Sequence, residues 1–364
     1  MPAYKDTKTK KWFASFYYVT YQGERKKKCK RGFKNKEEAK QFEREFLAKI
    51  SSSSTMSFKS LYELYLEDLS CRLRETTIQH KKNIIETKIL PYFQKLSLDD
   101  ITPVIIRNWQ NKMMKFRTEN GNPYSQTYLR SIHSQLSAVF NYAVKYHNLK
   151  ENPCHKAGSI GKKHADEMEI WTVDEFNTFI KLVEDHPITY TGYQVLFWTG
   201  MRIGELLGLS LGDIDFENKI IKVTKSYQRL KGRDIISQPK TSKSKRNIDI
   251  NQYLVDILKK YVNMLYKPDK NTRLFNCTKS IFEHELKKYS LKANLKPIRV
   301  HDLRHSHASF LFNRGINILA ISKRLGHENI ETTLKTYSHL YESSNELILQ
   351  VMNDACDTNL ILKK

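Results

Sequence analysis

The sequence has no C-x-x-C pair: Cys29, Cys71, Cys154, Cys277 and Cys356 stand apart from one another and are odd in number. That spacing excludes a paired-cysteine zinc site and a thioredoxin-like redox motif, and it fits a reducing compartment. Long apolar runs are missing too. No stretch approaches the roughly 18 consecutive apolar residues that a membrane span needs, and the opening MPAYKDTKTKKWF has no apolar run behind its charges. A soluble cytoplasmic protein with no membrane partner is therefore expected. No internal repeat is present. Acidic residues are in deficit, 39 Asp and Glu against 62 Lys and Arg, a net charge of +23 spread along the whole chain. Such an excess points to a polyanion, and nucleic acid is favoured because each phosphate neutralised releases condensed counterions.

At 364 residues the chain is long enough for two or three folded units of roughly 150 residues. Residues 1–50 carry two β-prone runs, WFASFYYVTY and KKKCKRGF, around a turn at Gln22-Gly23-Glu24, then a helix capped by Asn35 with Ala39, Phe42, Phe46 and Ile50 on one face. Residues 51–57, with four serines, read as a linker. From 58 to 150 the pattern is helical. Leu61, Leu64, Tyr65 and Leu69 mark one stripe, and Leu129, Ile132, Leu136, Val139, Phe140 and Ala143 another, with breaks at Pro91 and Gly121-Asn122-Pro123. A second linker is expected over 151–169. Residues 170–341 form a mixed unit: Thr172 and Glu175 have capping-box spacing, and strands are expected over 219–224, 234–238 and 247–250 before a long helical stretch. Residues 342–364 are a tail. The expected fold is thus multi-domain and mainly α with small β-sheets.

Four local patterns in the third unit supply chemistry: TGMRIGELLGL at 199–209, PKTSKSKR at 239–246, HDLRHSHAS at 301–309 and LGHENIETTLKTY at 325–337. Phosphoryl transfer at a nucleic-acid backbone needs a nucleophile, cationic donors on the non-bridging oxygens, and proton donors and acceptors. Arg202 follows a turn that starts a helix, with Glu205 on the same face. His301 and Arg304 share a helical face, and a guanidinium can grip two phosphate oxygens at once. Lys240 lies after Pro239, in the expected turn of a basic hairpin, with Lys243 and Lys245 close enough to take its place. His301, His305 and His307 lack the cysteine or carboxylate partners of a zinc set, so no metal is expected. Tyr337 is one of twenty tyrosines and says nothing alone.

The ordered set Arg202, Lys240, His301-x-x-Arg304, His327 and Tyr337, with the tyrosine ten residues after His327, resembles the catalytic signature of the tyrosine recombinase (phage integrase) family. The resemblance covers roughly 171–341. The helical unit is similar to that family's core-type DNA-binding domain and residues 1–50 to its arm-type domain. The resemblance implies that Tyr337 is the nucleophile forming a 3′-phosphotyrosine. It also implies that Arg202 and Arg304 clamp the phosphate, that Lys240 protonates the leaving 5′-oxygen, that His301 assists proton transfer and that His327 hydrogen-bonds the phosphate. Glu205 stands behind Arg202. No cofactor is implied. Tyr341, one turn on, remains an alternative nucleophile.

The function implied is integration and excision of a mobile element at double-stranded DNA attachment sites by a homotetramer in a bacterial cytoplasm. An excisionase and a DNA-bending host protein are implied as accessory factors. DNA contacts are expected from Lys26, Lys27, Lys28, Lys30, Arg31, Lys81, Lys82, Lys243 and Arg246, and among further helix-face cations from Lys88, Lys112, Lys115 and Arg130. The competing readings are a Xer-like dimer resolvase, a type IB topoisomerase and a DNA-binding protein without catalysis.

Overall fold

Alternating aromatic and small residues at the N-terminus make strands with two unlike faces. In the computed structural model, which describes residues 3–5, 11–19, 25–51, 56–163, 169–238, 245–327, 329–337, 349 and 352–353, these are β1 (Ala3–Lys5), β2 (Trp12–Val19) and β3 (Arg25–Phe33). They pair antiparallel in that order. Helix α1 (Lys36–Ser51) follows, and the Asn35 side chain accepts from the Glu38 N–H at 2.7 Å. Ala14 and Phe16 are buried with Ala39, and Trp12, Phe33, Phe42 and Phe46 pack around them. At the β2–β3 pairing the register shifts between Trp12 and Phe13, which face Phe33 and Arg31 respectively. Gly32 is the extra residue, at φ +101, a backbone region that only glycine enters at no cost.

The chain divides into two compact units, Met1–Asp166 and Glu167–Lys364. The rest of the first unit is helical: α2 (Phe58–Ser70), α3 (Glu75–Ile84), α4 (Leu90–Phe93), α5 (Pro103–Lys115) and α6 (Gln126–Tyr146). Pro91 does not separate two helices, as the sequence suggested. One wide turn, Ile85–Ile89, joins α3 to α4 and absorbs the missing N–H. Every residue of the expected α6 stripe is buried.

The expected linker over 151–169 starts later than its composition suggests. Pro153–Ala157 form a short helix α7, and Cys154, Ala157 and Ile160 lie in the same core as α2 to α6. Asn152 accounts for this. Its Oδ1 accepts from the Cys154 N–H at 2.8 Å while its Nδ2 donates to Asn141 Oδ1 at 2.7 Å and Ser137 O at 3.0 Å. Gln110 Nε2 then donates to Gly158 O at 2.7 Å.

The second unit contains α8 (Val173–Lys181), α9 (Pro187–Thr199) and α10 (Ile203–Gly208), then strands β4 (Ile214–Asp215), β5 (Ile220–Val223), β6 (Ser226–Leu230), β7 (Arg233–Ser237) and β8 (Arg246–Asp249). Five helices follow: α11 (Gln252–Asn263), α12 (Lys279–Lys292), α13 (Asp302–Asn313), α14 (Ile318–Leu325) and α15 (Ile330–Tyr337). The Thr172–Glu175 capping box is formed at both bonds. The strands make two sheets, β4-β5-β8 and β6-β7. The basic hairpin is therefore β6–β7, turning at Lys231 (φ 49) and Gly232 (φ 79), the positive values that a two-residue hairpin turn demands. Lys240 does not lie in its turn. It follows β7, outside the described residues, as does Lys243, and β7 and β8 on either side pair with different partners.

Candidate active site

The site is built where α9, α10, α13 and α14 end or begin. Helix α9 stops at Gly200, which adopts the left-handed conformation. A Cβ there would lie 2.7 Å from both the His307 ring and the Leu325 side chain, so close packing and backbone angle both require glycine. The turn delivers Arg202 to the cap position of α10. Its backbone N–H donates to Glu205 Oε2 and its Nη1 to Glu205 Oε1, each at 2.9 Å.

Glu205 is 4 % exposed and is gripped from the other side by Arg246, whose Nη1 and Nη2 donate to the same carboxylate at 3.1 and 2.9 Å. Arg246 Nε donates to Arg324 O at 2.8 Å. Arg246 was expected at a DNA-facing surface. Its side chain is instead only 7 % exposed, because a buried carboxylate must be paired. Burial alone would raise the Glu205 pKa; the hydrogen bonds and charge of Arg246, with the N–H and charge of Arg202, outweigh it and hold the carboxyl below its ordinary 4.5.

This ion pair yields a stability prediction. Glu205→Gln leaves two guanidiniums facing a neutral amide and is expected to cost about 3 kcal/mol at neutral pH. The native carboxylate's contribution is full above its unfolded pKa and is lost as pH falls through the lower folded value. The gap between wild type and variant in thermal melts should therefore begin to narrow below about pH 4 and go on narrowing as the pH falls through the lower folded value. A gap independent of pH would show that shape, and not charge, is what Glu205 supplies.

Arg304, on α13, is 2 % exposed. Its Nη1 donates to Gly200 O and its Nη2 to Leu325 O, both at 2.8 Å. Two consecutive carbonyls at the end of α14, those of Arg324 and Leu325, thus each hold an arginine, Arg246 and Arg304. The negative end of a helix favours this. Gly326, at φ 69, then turns the chain into His327, whose N–H donates to Ser322 O at 3.1 Å.

His301 precedes α13, and its ring lies 5.3 Å from that of His305. Burial, then His305, Arg304 and Arg202, push its pKa down to about 4. His327 is likewise pushed to about 4 by burial, Arg304, Arg202, His305 and Arg246. Both shifts favour the neutral imidazole, which carries one N–H donor and one acceptor nitrogen. The structure therefore gathers Arg202, His301, Arg304 and His327 into one electrostatic neighbourhood. His327 also lines an open cleft of about 1410 Å³ with Thr224, Lys245, Lys323 and Glu331. Tyr337 ends α15; its side chain and the whole of Tyr341 fall outside the described residues. Among those residues, no group of three His, Cys, Asp or Glu is placed to hold a metal, and no helix is long and apolar enough to cross a membrane.

The cations expected to touch DNA are sorted by the structure. Register places Arg25, Lys27 and Arg31 on the open face of the N-terminal sheet. Arg25 and Lys27 lie 4.6 and 5.7 Å from the centre of the Tyr17 ring, and Arg31 lies 5.6 Å from that of Phe13, which stacks on Tyr4. Lys26, Lys28 and Lys30 fall on the α1 side, where Lys30 lies 4.6 Å from the Phe42 ring centre and Lys28 lies 5.5 Å from that of Phe46. In the helical region Lys81 is half-buried, bonded to Gln135 Oε1 at 2.9 Å and to the Tyr65 hydroxyl at 3.2 Å, an internal role its sequence position did not reveal. Lys82 pairs with Glu86 at 3.6 Å.

Sequence and fold comparisons agree with one another. Residues 170–344 match the phage integrase family, 57–114 the phage integrase N-terminal SAM-like domain, and 2–50 the arm DNA-binding domain. The chain is 31 % identical to the ICEBs1 integrase of Bacillus subtilis over 316 residues, 83 % of this chain and 84 % of that one. It is 28 % identical over 307 residues, 76 % of each chain, to a tyrosine recombinase described as XerC-like from Caldanaerobacter subterraneus. In fold it is similar to a fragment of the Tn1549 transposon integrase, solved with transposon right end DNA, at a TM-score of 0.67 and 22 % identity over 82 % of this chain and 100 % of that one. With an integrase relative aligned over most of both sequences and the family match spanning Arg202, His301, Arg304 and His327, the chain belongs to the phage integrase family of tyrosine recombinases.

Proposed function

We propose that this site-specific recombinase integrates and excises a mobile element, with Tyr337 as nucleophile and Arg202, Lys240, His301, Arg304 and His327 around the phosphate it attacks. The observation that carries the reading is the pair of arginines fixed by hydrogen bonds, Arg202 on Glu205 and Arg304 on the Gly200 and Leu325 carbonyls, with His301 and His327 close enough to feel both charges. A phenol with a pKa near 10 is a weak nucleophile at neutral pH and needs a proton acceptor and nearby cations. His301 takes the phenol proton as the Tyr337 oxygen bonds to phosphorus. The bond from phosphorus to the 5′-oxygen breaks, and that oxygen takes a proton from Lys240. Arg202, Arg304 and the N–H of His327 meet the charge that builds on the non-bridging oxygens. The phosphotyrosine conserves the backbone bond energy, so a 5′-hydroxyl of a second duplex reseals it with no nucleotide cofactor.

Residues 1–50 are read as the arm-binding unit, 58–150 together with the α7 segment that shares its core as the core-binding unit, and 170–341 as the catalytic unit, acting as a homotetramer on DNA in a bacterial cytoplasm. An excisionase and a DNA-bending host protein set direction. The integrase relative and the matches to arm and SAM-like domains support this layout. The test is a pair of assays on a repeat taken from the DNA flanking the gene. A nicked suicide duplex should trap protein covalently, and two copies of the repeat should recombine. Relaxation of any supercoiled plasmid with no exchange between sites would instead assign topoisomerase activity.

The two faces of the N-terminal sheet give a second expectation. Replacing Arg25, Lys27 and Arg31 by Ala should weaken arm-site binding and flatten the slope of log affinity against log salt by about 1 per contact removed. The same change at Lys26, Lys28 and Lys30 should do far less. Equal losses from both triples, measured by salt titration, would mean that the sheet binds through diffuse charge and not through one face.

A further inference from the structure

Thr333 lies on α15, wholly buried, one helical turn before Tyr337. Its Oγ1 sits 2.7 Å from Nδ1 of His327. Threonine in a helix ordinarily turns its hydroxyl back to the carbonyl four residues earlier. Here the hydroxyl is aimed across the turn after α14, at an imidazole that lines the cleft. We propose that Thr333 is a positioning residue, whose hydroxyl donates to Nδ1 of His327 and so holds the ring in the tautomer that presents Nε2–H to the phosphate.

The chemistry follows from counting protons. A neutral imidazole carries one N–H, so whichever nitrogen holds it decides whether the other face donates or accepts. His327 is neutral at working pH because burial and the surrounding arginines disfavour its charged form. If Nδ1 carried the proton, Nε2 would point a lone pair at an anionic phosphate, which is repulsive. The buried hydroxyl would also be left donating to nothing among the described residues, a loss comparable to a broken hydrogen bond. With the hydroxyl donating, both groups are satisfied and Nε2–H is directed at the cleft.

The arrangement has a consequence for assembly. The phosphate donor on the turn after α14 is set by a hydroxyl on the helix that carries the nucleophile, so undocking α15 removes Tyr337 and unsets His327 together. A protomer with its nucleophile helix withdrawn is then deficient in two catalytic groups at once.

The inference rests on the role of His327 given above, and the experiment separates the two. In the full-length protein labelled with 15N-histidine, the His327 signals are assigned by their loss in His327→Gln. Long-range 15N–1H correlation should show the Nε2–H tautomer in the wild type, a mixture in Thr333→Val, and the wild-type pattern again in Thr333→Ser. On the nicked suicide duplex, Thr333→Val should slow covalent trapping roughly tenfold, the worth of one hydrogen bond, with DNA affinity unchanged and Thr333→Ser near wild type. Thr333→Val should add nothing to the defect of His327→Gln, since both act through one group. Finding the Nδ1–H tautomer in the wild type overturns the proposal without any variant having to fold. So does a Thr333→Val enzyme as fast as wild type alongside a crippled His327→Gln, or defects that multiply in the double variant. A fully active His327→Gln enzyme would instead remove His327 from the catalytic set.

Discussion

Tyr337→Phe is expected to abolish the covalent protein–DNA adduct, slowing strand cleavage by more than about 10⁴-fold, while DNA binding is nearly unchanged. The substitution removes one oxygen atom and alters neither charge nor helix propensity appreciably, so α15 should keep its place. Nothing else in the proposed set is an oxygen nucleophile. The arginines, the lysine and the imidazoles polarise, hold or move protons, and without a phenol they have nothing to activate. The measurement is a denaturing gel of protein mixed with the nicked suicide duplex, in which an adduct runs as a slower band. Tyr341 lies four residues further on and is a natural rival. An adduct that survives Tyr337→Phe and disappears in Tyr341→Phe would transfer the nucleophile to Tyr341.

The second large effect is expected at Arg304. Arg304→Lys keeps the positive charge but loses the planar fork, and the geometry depends on the fork. Nη1 and Nη2 are separately anchored on Gly200 and Leu325, carbonyls that belong to different segments of the chain. A lysine ammonium reaches one of them at most and orients nothing else. Cleavage should fall roughly 10²–10³-fold, the loss typical of one preorganised oxyanion donor, with little change in DNA affinity. Thermal unfolding gives the control, because an orphaned buried carbonyl also destabilises by about 1–3 kcal/mol. A variant that melts early yet cleaves at the native rate would make Arg304 a purely structural tie.

Much of this was legible in the sequence, because the informative signals are local. The Thr172–Glu175 cap, the turn at Gly200, the α6 stripe and the hairpin that leads into the Asn35 cap each depend on residues within a turn or two of one another. Long-range pairing was not legible. Charge alone made Arg246 a DNA contact, since nothing near it announces a carboxylate 41 positions away that claims its guanidinium. The partner of Lys81, Gln135, lies 54 positions on and is out of local reach in the same way. The β6–β7 turn at Lys231-Gly232 lacks the usual Asn-Gly signal, so local pattern places the hairpin one strand too late. Helix α7 is hidden by the glycines and lysines that follow it, although Asn152 before Pro153 is an ordinary cap followed by a proline at the first helical position. Thr333 offered one weak sign, a threonine one turn before the tyrosine, which takes on meaning only beside His327.

The bulge at Gly32 ties the two faces of the N-terminal sheet to chain length. Arg31 and Phe33 are two apart and in a regular strand would point the same way; the extra glycine sends one outward and the other into the core. The pattern of alternate charges along β3 is thus referenced to one irregular residue. Lineages of this protein can exchange bases for other bases there with little penalty. A codon inserted or deleted between Arg25 and Arg31 would turn the residues on one side of it to the opposite face, putting cations toward α1 and apolar groups outward. Loss of Gly32 itself would leave Arg31 and Phe33 as alternating neighbours on opposite faces, so the one length change this strand should tolerate is removal of its bulge.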